Sequence, residues 1–399
     1  MRKKTISYSF AVPLLLVMAF GFLFSGCKKN EVKPEASFIK VYDDKDGGRN
    51  YFPLSLHATS DDGYLILSAY NGWNIHLVKT DKVGELLWEY DLPSDYVNAV
   101  PNLIERNGTL YFVCMDAVGL FTYIMQVDEN GKSAVAFQEF PEIKYPLYVA
   151  DNQTEVYIQN YERYSFETGI YELSGAMDQI QNSGSVQIFT DVEDKIVDHL
   201  SFTGKRFPFF VSVTPEKDFV VLSGFNNYSF STVFLDANLT FSGVYNGAAF
   251  DGGLNAILPL GGNQYSLARF SFSNLYYNPS ATLSPTAIDI AESIPAQGQV
   301  ELDAQSPVLI KNISIKGAEN VAYLATTKSN QLLLSVYGKG SSTLKGSKYL
   351  GQSVPLKACD LTETKDGGLM ILTRVTVMGS FNRIATIKLS KAELEAVIE

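Results

Sequence analysis

Short apolar runs, each preceded by a turn rich in Gly, Asn and Asp, recur along the whole chain. The runs are YLILSAY, LYFVCMD, EVYIQNY, DFVVLSGF, QYSLARF, VAYLATT and LMILTRV. The turns ahead of them fall at Asp62-Gly63, Asn107-Gly108, Asn152-Gln153, Lys217-Asp218, Gly261-Gly262, Glu319-Asn320 and Asp366-Gly367. Asp-Gly and Asn-Gly pairs suit tight hairpins, because both central residues need φ > 0. In most copies a second strand follows and ends in a polar turn, as in NIHLVKTD-KVG, TYIMQVD-ENG, STVFLDA-NLT and RIATIKLS-KAE. A fourth, outer strand comes next, for example ELLWEYDL, and at the C-terminus LEAVIE.

The pattern predicts a four-stranded unit repeated at roughly forty residues, all strand and no helix. Such a unit cannot cover both its faces and needs a neighbour on each side. The fold this implies is an all-β propeller of seven four-stranded blades, with six or eight left open. One further strand, Ser37 to Tyr42, could close the ring by joining the last blade, unless LEAVIE already fills that place.

The best copy, Thr59 to Leu92, reads DDGYLIL, IHLVKTD, KVGELLWEY, and KDGGLMIL repeats its opening near the C-terminus. These segments resemble the propeller repeats common in bacterial lipoproteins and outer-surface proteins. The resemblance implies the fold and carries no single activity.

The N-terminus adds an address. Arg2, Lys3 and Lys4 precede a nearly unbroken apolar run, Phe10 to Leu23, and Ser25-Gly26 lead into Cys27. That is the layout of a secretory signal. Leu23-Phe24-Ser25-Gly26-Cys27 resembles the lipobox of bacterial lipoproteins, with Phe24 where the common pattern has Leu. The resemblance implies cleavage before Cys27, lipidation of its sulfur and acylation of the new N-terminus. An uncleaved membrane anchor is the alternative. Residues 1–26 are then a signal, 27–36 (ending KKNEVKPEA) a flexible tether and 37–399 the propeller. The expected location is the bacterial envelope, anchored to a membrane, outer membrane first, with the exposed side open.

Composition excludes some partners. A net charge of -11 without a basic stripe argues against nucleic acid. Cys114 and Cys359 lie in the second and seventh repeats, which are not ring neighbours, so unbridged thiols are expected.

Candidate chemistry is sparse. His57, His76 and His199 are far apart, and no HExxH, GxSxG, P-loop or dinucleotide motif occurs. Asp43 to Gly48 lacks the spacing of a calcium loop, and neither metal nor cofactor is expected. What stands out is the loops between second and third strands, which crowd one end of a propeller channel. They hold Trp73, Phe121, Arg163 and Tyr164, Asn227 and Tyr228, Tyr276 and Tyr277, and Phe381. Aromatic faces beside amide and guanidinium donors suit a sugar ring or an extended peptide. The leading expectation is a non-catalytic module for a glycan or protein ligand. A hydrolase or lyase using scattered channel residues such as His57, Arg269 or Arg374 is the alternative, and a structural partner in an envelope assembly a third. Two long intervals, TDVEDKIVDHLSFTGKRF and SATLSPTAIDIAESIPAQGQVELDAQSP, read as rim insertions, where function tends to sit.

Overall fold

Middle strands buried on both faces explain why the repeats read as continuous apolar runs rather than alternating ones. In the computed structural model, which describes residues 33–43, 48–201, 207–351, 354–377 and 381–399, Tyr64–Tyr70 and Asn74–Thr80 are almost wholly buried. Outer strands such as Leu86–Asp91 remain largely exposed. The signal and Cys27 lie outside the described residues.

Among the described residues the strands form seven antiparallel four-stranded units. The first is Tyr51–Ala58, Tyr64–Tyr70, Asn74–Thr80 and Leu86–Asp91, inner to outer. The second, built from Ile104–Arg106, Thr109–Asp116, Phe121–Asp128 and Ser133–Lys144, is tied to the first by the short strand Tyr96–Val97. The third runs from Pro146–Asp151 to Ile180–Gln187, the fourth from Phe210–Val213 to Phe241–Asn246. The fifth starts at Gly252–Gly261 and the sixth at Leu309–Ile315. The seventh comprises Leu356–Glu363, Leu369–Val377, Phe381–Leu389 and, outermost, Phe38–Tyr42. Separate apolar clusters fill the junctions, including Tyr51, Leu56, Ile66, Met370 and Leu372 between the seventh unit and the first. The ring is therefore closed, and an all-β propeller is the class the fold defines.

Closure uses the N-terminal strand. Phe38 pairs with Lys388 and Tyr42 with Ile384. LEAVIE, expected to be a strand, is instead the end of the helix Lys391–Glu395 and a 3-10 turn Ala396–Ile398, capped by Ser390 and buried through Leu394 and Val397. Its place was already taken, so the tail folds against the ring as helix. Among the described residues no helix is long and apolar enough to cross a membrane.

The DGG and KTD signals have a physical origin. Lys79, 1% exposed, points back from the third strand and donates to both Asp61 oxygens at 2.7–2.8 Å. Asp61 also accepts from Thr59 and from the Gly63 amide. Asp81 then caps the outer turn by accepting from the Val83 and Glu85 amides. In the seventh unit Lys388 holds Asp366 in the same way, at 2.6 Å. Burial alone would raise the Asp61 carboxyl, but the bonds from Lys79, Thr59 and Gly63 outweigh it and hold it at about 2. Asp366 is lowered by the same balance.

Six of the seven expected hairpin turns lie between first and second strands, and Asp62, Asn107, Gln153 and Lys217 there have positive φ. The sixth-unit turn is Lys316-Gly317, with Glu319 and Asn320 inside the following strand. The strong Gly-containing signal, three residues earlier, won.

Both long intervals are more structured than rim loops. The first forms the helix Glu193–Leu200, anchored by buried Val192, Ile196 and Leu200. The second supplies Ile288–Ile290, which pairs parallel to the fourth unit's outer strand, and Gln297–Gln299, the fifth unit's own outer strand.

Candidate functional site

Six of the seven inner strands described, and the segment just ahead of the second unit's, line one cavity of about 940 Å³. Phe52 to Leu54, Leu147-Tyr148, Phe209-Phe210, Asn255 to Leu258, Leu309 to Lys311 and Lys357 to Asp360 line it, with Pro101 and Asn102 just ahead of the second unit's inner strand. Several inner strands carry bulges, at Pro53/Ser55, Pro146/Tyr148, Leu254/Ala256 and Ala358/Asp360. A bulge turns a side chain out of the regular alternation. At Asp360 the result is a clamp on both neighbours: the buried carboxylate accepts from the Leu56 amide at 2.8 Å, Ser55 Oγ at 3.3 Å and Lys311 Nζ at 2.6 Å.

The cavity opens among the loops joining second to third strands, since Asn71, Gly72, Phe272 and Asn382 belong to its wall while the hairpin turns of the other end do not. The helix Glu193–Leu200 reaches this mouth. Its start is held by Tyr145 and Arg163, which contact Glu193 at 2.8 and 3.3 Å. At its far end His199 stacks edge-on against Phe209 at 4.7 Å and accepts from the Phe207 amide. The apolar side of the helix rests on a cluster of Phe207, Phe209, Phe225 and Phe230, with ring centroids 4.9–6.3 Å apart. Aromatic packing of this kind fixes geometry as well as burying area.

None of the nine sequence-derived ligand residues lines the cavity; they sit around its rim or away from it. Trp73, Tyr164 and Tyr228 are exposed at 51%, 76% and 64% on the loop tips. Tyr228 lies beside Phe189, another exposed ring, at 6.0 Å, and Asn227 ties that loop to Gln187 and Phe189 through its backbone. Arg163 stacks over Tyr164 at 5.2 Å. Phe121 receives Lys144, and Phe381 receives Arg383, each a first residue of a strand. Two residues need correction. Tyr276 and Tyr277 are not in a loop: the turn is Phe272-Ser273, and both tyrosines are inside the strand Asn274–Thr282. Tyr277 is buried, packed 4.5 Å from Tyr323, so it is core rather than ligand face.

Of the scattered residues considered for catalysis, only Arg374 faces the cavity. His57 pairs with Glu105 at 2.9 Å, and Arg269 stacks on Tyr276 at 4.0 Å. His76 is buried against Tyr51 and bonded to Asp91 at 2.7 Å, a packing role. Cys114 is buried, which pushes its thiol up, and neither it nor Cys359 is in a disulfide. Of the Asp43–Gly48 segment, residues 44–47 lie outside the described set, as do Met378 to Ser380. The residues missed in the sequence are Asn50, just ahead of the first unit's inner strand, Phe52 within it, and Asn382 in the seventh unit's third strand.

No protein-family model matches the chain, and no curated protein sequence does. Solved structures are similar to it at low identity. The Dos1 propeller matches with a TM-score of 0.48 and 11% identity, over 88% of this chain and 81% of that one. The β-propeller domain of the Trilobed protease from Pyrococcus furiosus matches at 0.45 and 10%, over 88% and 98%. Kuenenia stuttgartiensis hydrazine synthase matches at 0.47 and 12%, over 81% and 92%. Similarities this distant carry no activity across, because propellers host unrelated functions.

Proposed function

We propose that this chain is a lipid-anchored envelope propeller that binds a glycan or protein ligand without transforming it. The carrying observation is the cavity of about 940 Å³ at the ring centre, with exposed aromatic side chains on the loops at its mouth. A volume of this order suits a small ligand or a short segment of a larger one. Asp360 is the one acid in its described wall, and its oxygens are taken by amides, a hydroxyl and a lysine. That favours binding over acid-base work. The strand Phe38–Tyr42 begins at the hairpin-turn end of the seventh unit, the end away from the mouth.

A glycan and peptide array probed with the full chain in detergent tests the reading. Trp73→Ala and Tyr228→Ala should each weaken binding about tenfold at an unchanged melting temperature. A blank array refutes it. Mass spectrometry finding Cys27 unmodified in mature protein would remove the anchor.

A further inference from the structure

The cavity wall is chemically uneven. Lys311 is neutralised by Asp360 at 2.6 Å and Lys357 by Asp303 at 2.5 Å. Arg374 stands directly opposite Lys357 in register, an unfavourable pairing of like charges. Yet its guanidinium makes no ion pair among the described residues, and its buried Nε has no acceptor. Its aromatic neighbour is Phe52, with the guanidinium carbon 5.4 Å from the ring centre. A desolvated donor of this kind is costly unless something completes it.

The groups around it are also donors. Two residues along, on the same strand face, Thr376 donates to Asn382 Oδ1 at 3.0 Å. The Asn382 amide donates to Asn50 Oδ1 at 2.9 Å, and the Asn50 amide to Asn71 Oδ1 at 3.1 Å. Each side-chain oxygen in this chain of amides is engaged, which leaves the three NH2 groups as what the wall offers. Arg374, Asn50, Asn71 and Asn382 all line the cavity.

Resting on the binding role above, we propose that this quarter of the cavity holds the acidic group, a carboxylate or sulfate ester, of a short acidic saccharide. Arg374 supplies the charge-assisted pair, Phe52 an apolar wall, and the asparagines donate to hydroxyl and ring oxygens. A peptide fits less well, because its backbone N–H groups would meet donors with no acceptor. The net charge of -11 disfavours long polyanions, and the cavity volume sets the same limit.

Calorimetric titration of the full chain in detergent with tri-galacturonate, a sulfated disaccharide, neutral galactotriose and an acidic tripeptide tests this. The acidic sugars should bind tighter than the neutral one, with affinity falling as salt rises. R374Q should weaken acidic-sugar binding about 10- to 100-fold, far more than it weakens neutral-sugar binding, with R374K in between. Whichever of uronate and sulfate binds tighter identifies the group. If R374Q does not fold, N71A at the mouth is the second variant, with a loss of about threefold to tenfold expected. Equal affinity of wild type and variant for acidic sugars, or preference for the tripeptide, overturns the proposal. Neutral sugars binding while acidic ones do not overturns it too, but leaves the binding role standing. No binding to any probe here together with a blank array sinks both.

Discussion

The two ends of the ring are built on different principles. At the hairpin-turn end the units repeat one another: tight turns with positive φ, and in the first and seventh units a buried lysine clamping the turn aspartate. At the loop end the described units differ. One contributes a helix, another the exposed Trp73, another the exposed Tyr228. The contrast teaches that the regular end maintains the scaffold, whose spacing sets where the inner strands lie, while the irregular end is free to build a site.

The contrast can be broken most severely at the seam. Phe38, almost buried, packs its ring over Gly84 of the first unit, where an added Cβ would come within 2.7 Å. Phe38→Ala should therefore cost about 3 kcal/mol, read by chemical denaturation, because it empties the junction that closes the ring. Removing the whole strand Phe38–Tyr42 should be worse and should abolish the single cooperative transition. A deletion variant that melts like wild type would show that closure does not depend on this strand.

Next in size is the turn clamp. Asp61→Ala leaves the Lys79 ammonium buried with its main partner gone and should destabilise by about 2 kcal/mol. Lys79→Met, which removes the charge and keeps the volume, should cost less than half of that. Equal losses from the two would mean that the clamp acts only by packing.

The smallest effect comes from pH. Asp61, at about 2, and the lowered Asp366, Asp91, Asp303 and Glu155 all have folded carboxyls below their ordinary range. For such groups burial works against the shift, while lysine, arginine, histidine, threonine or amide donors more than reverse it. Their contribution is complete above the ordinary carboxyl range near pH 4, and it is lost as pH falls through the folded values toward 2. The melting temperature should thus drop between about pH 4 and pH 2. Combining Asp61→Asn with Asp366→Asn should flatten that drop while lowering the plateau. If the slope of the double variant matches wild type, these two carboxyls are not its source.

Much of the scaffold was legible because its cause is local. Continuous apolar runs follow from strands sandwiched between neighbours, and the Asp-Gly turns follow from φ, so both show in short windows such as Asp62 to Tyr70. The site was hardly legible. Tyr277 and Trp73 look alike in sequence, aromatic residues beside Asn, yet one is core and the other rim, because the fifth unit's turn closes at Phe272-Ser273 and leaves Tyr277 inside the third strand, whereas Trp73 stays in the loop ahead of Asn74. Arg374 was one of several scattered cations until the fold set it against Phe52 in a cavity wall that also holds three asparagines.

What the sequence by itself determined is the repeating unit: its strand order, its turns and the lysine that clamps them, all set by contacts within about thirty residues, the reach of one hairpin pair. Only the tertiary structure decided how the ring closes, that the last residues are helix, and which inner-strand side chains share a cavity. Those outcomes depend mainly on contacts between chain ends and between units far apart in sequence, such as Phe38 with Gly84 and Asp360 with Leu56; only the final helix also carries a local signal, the Ser390 cap.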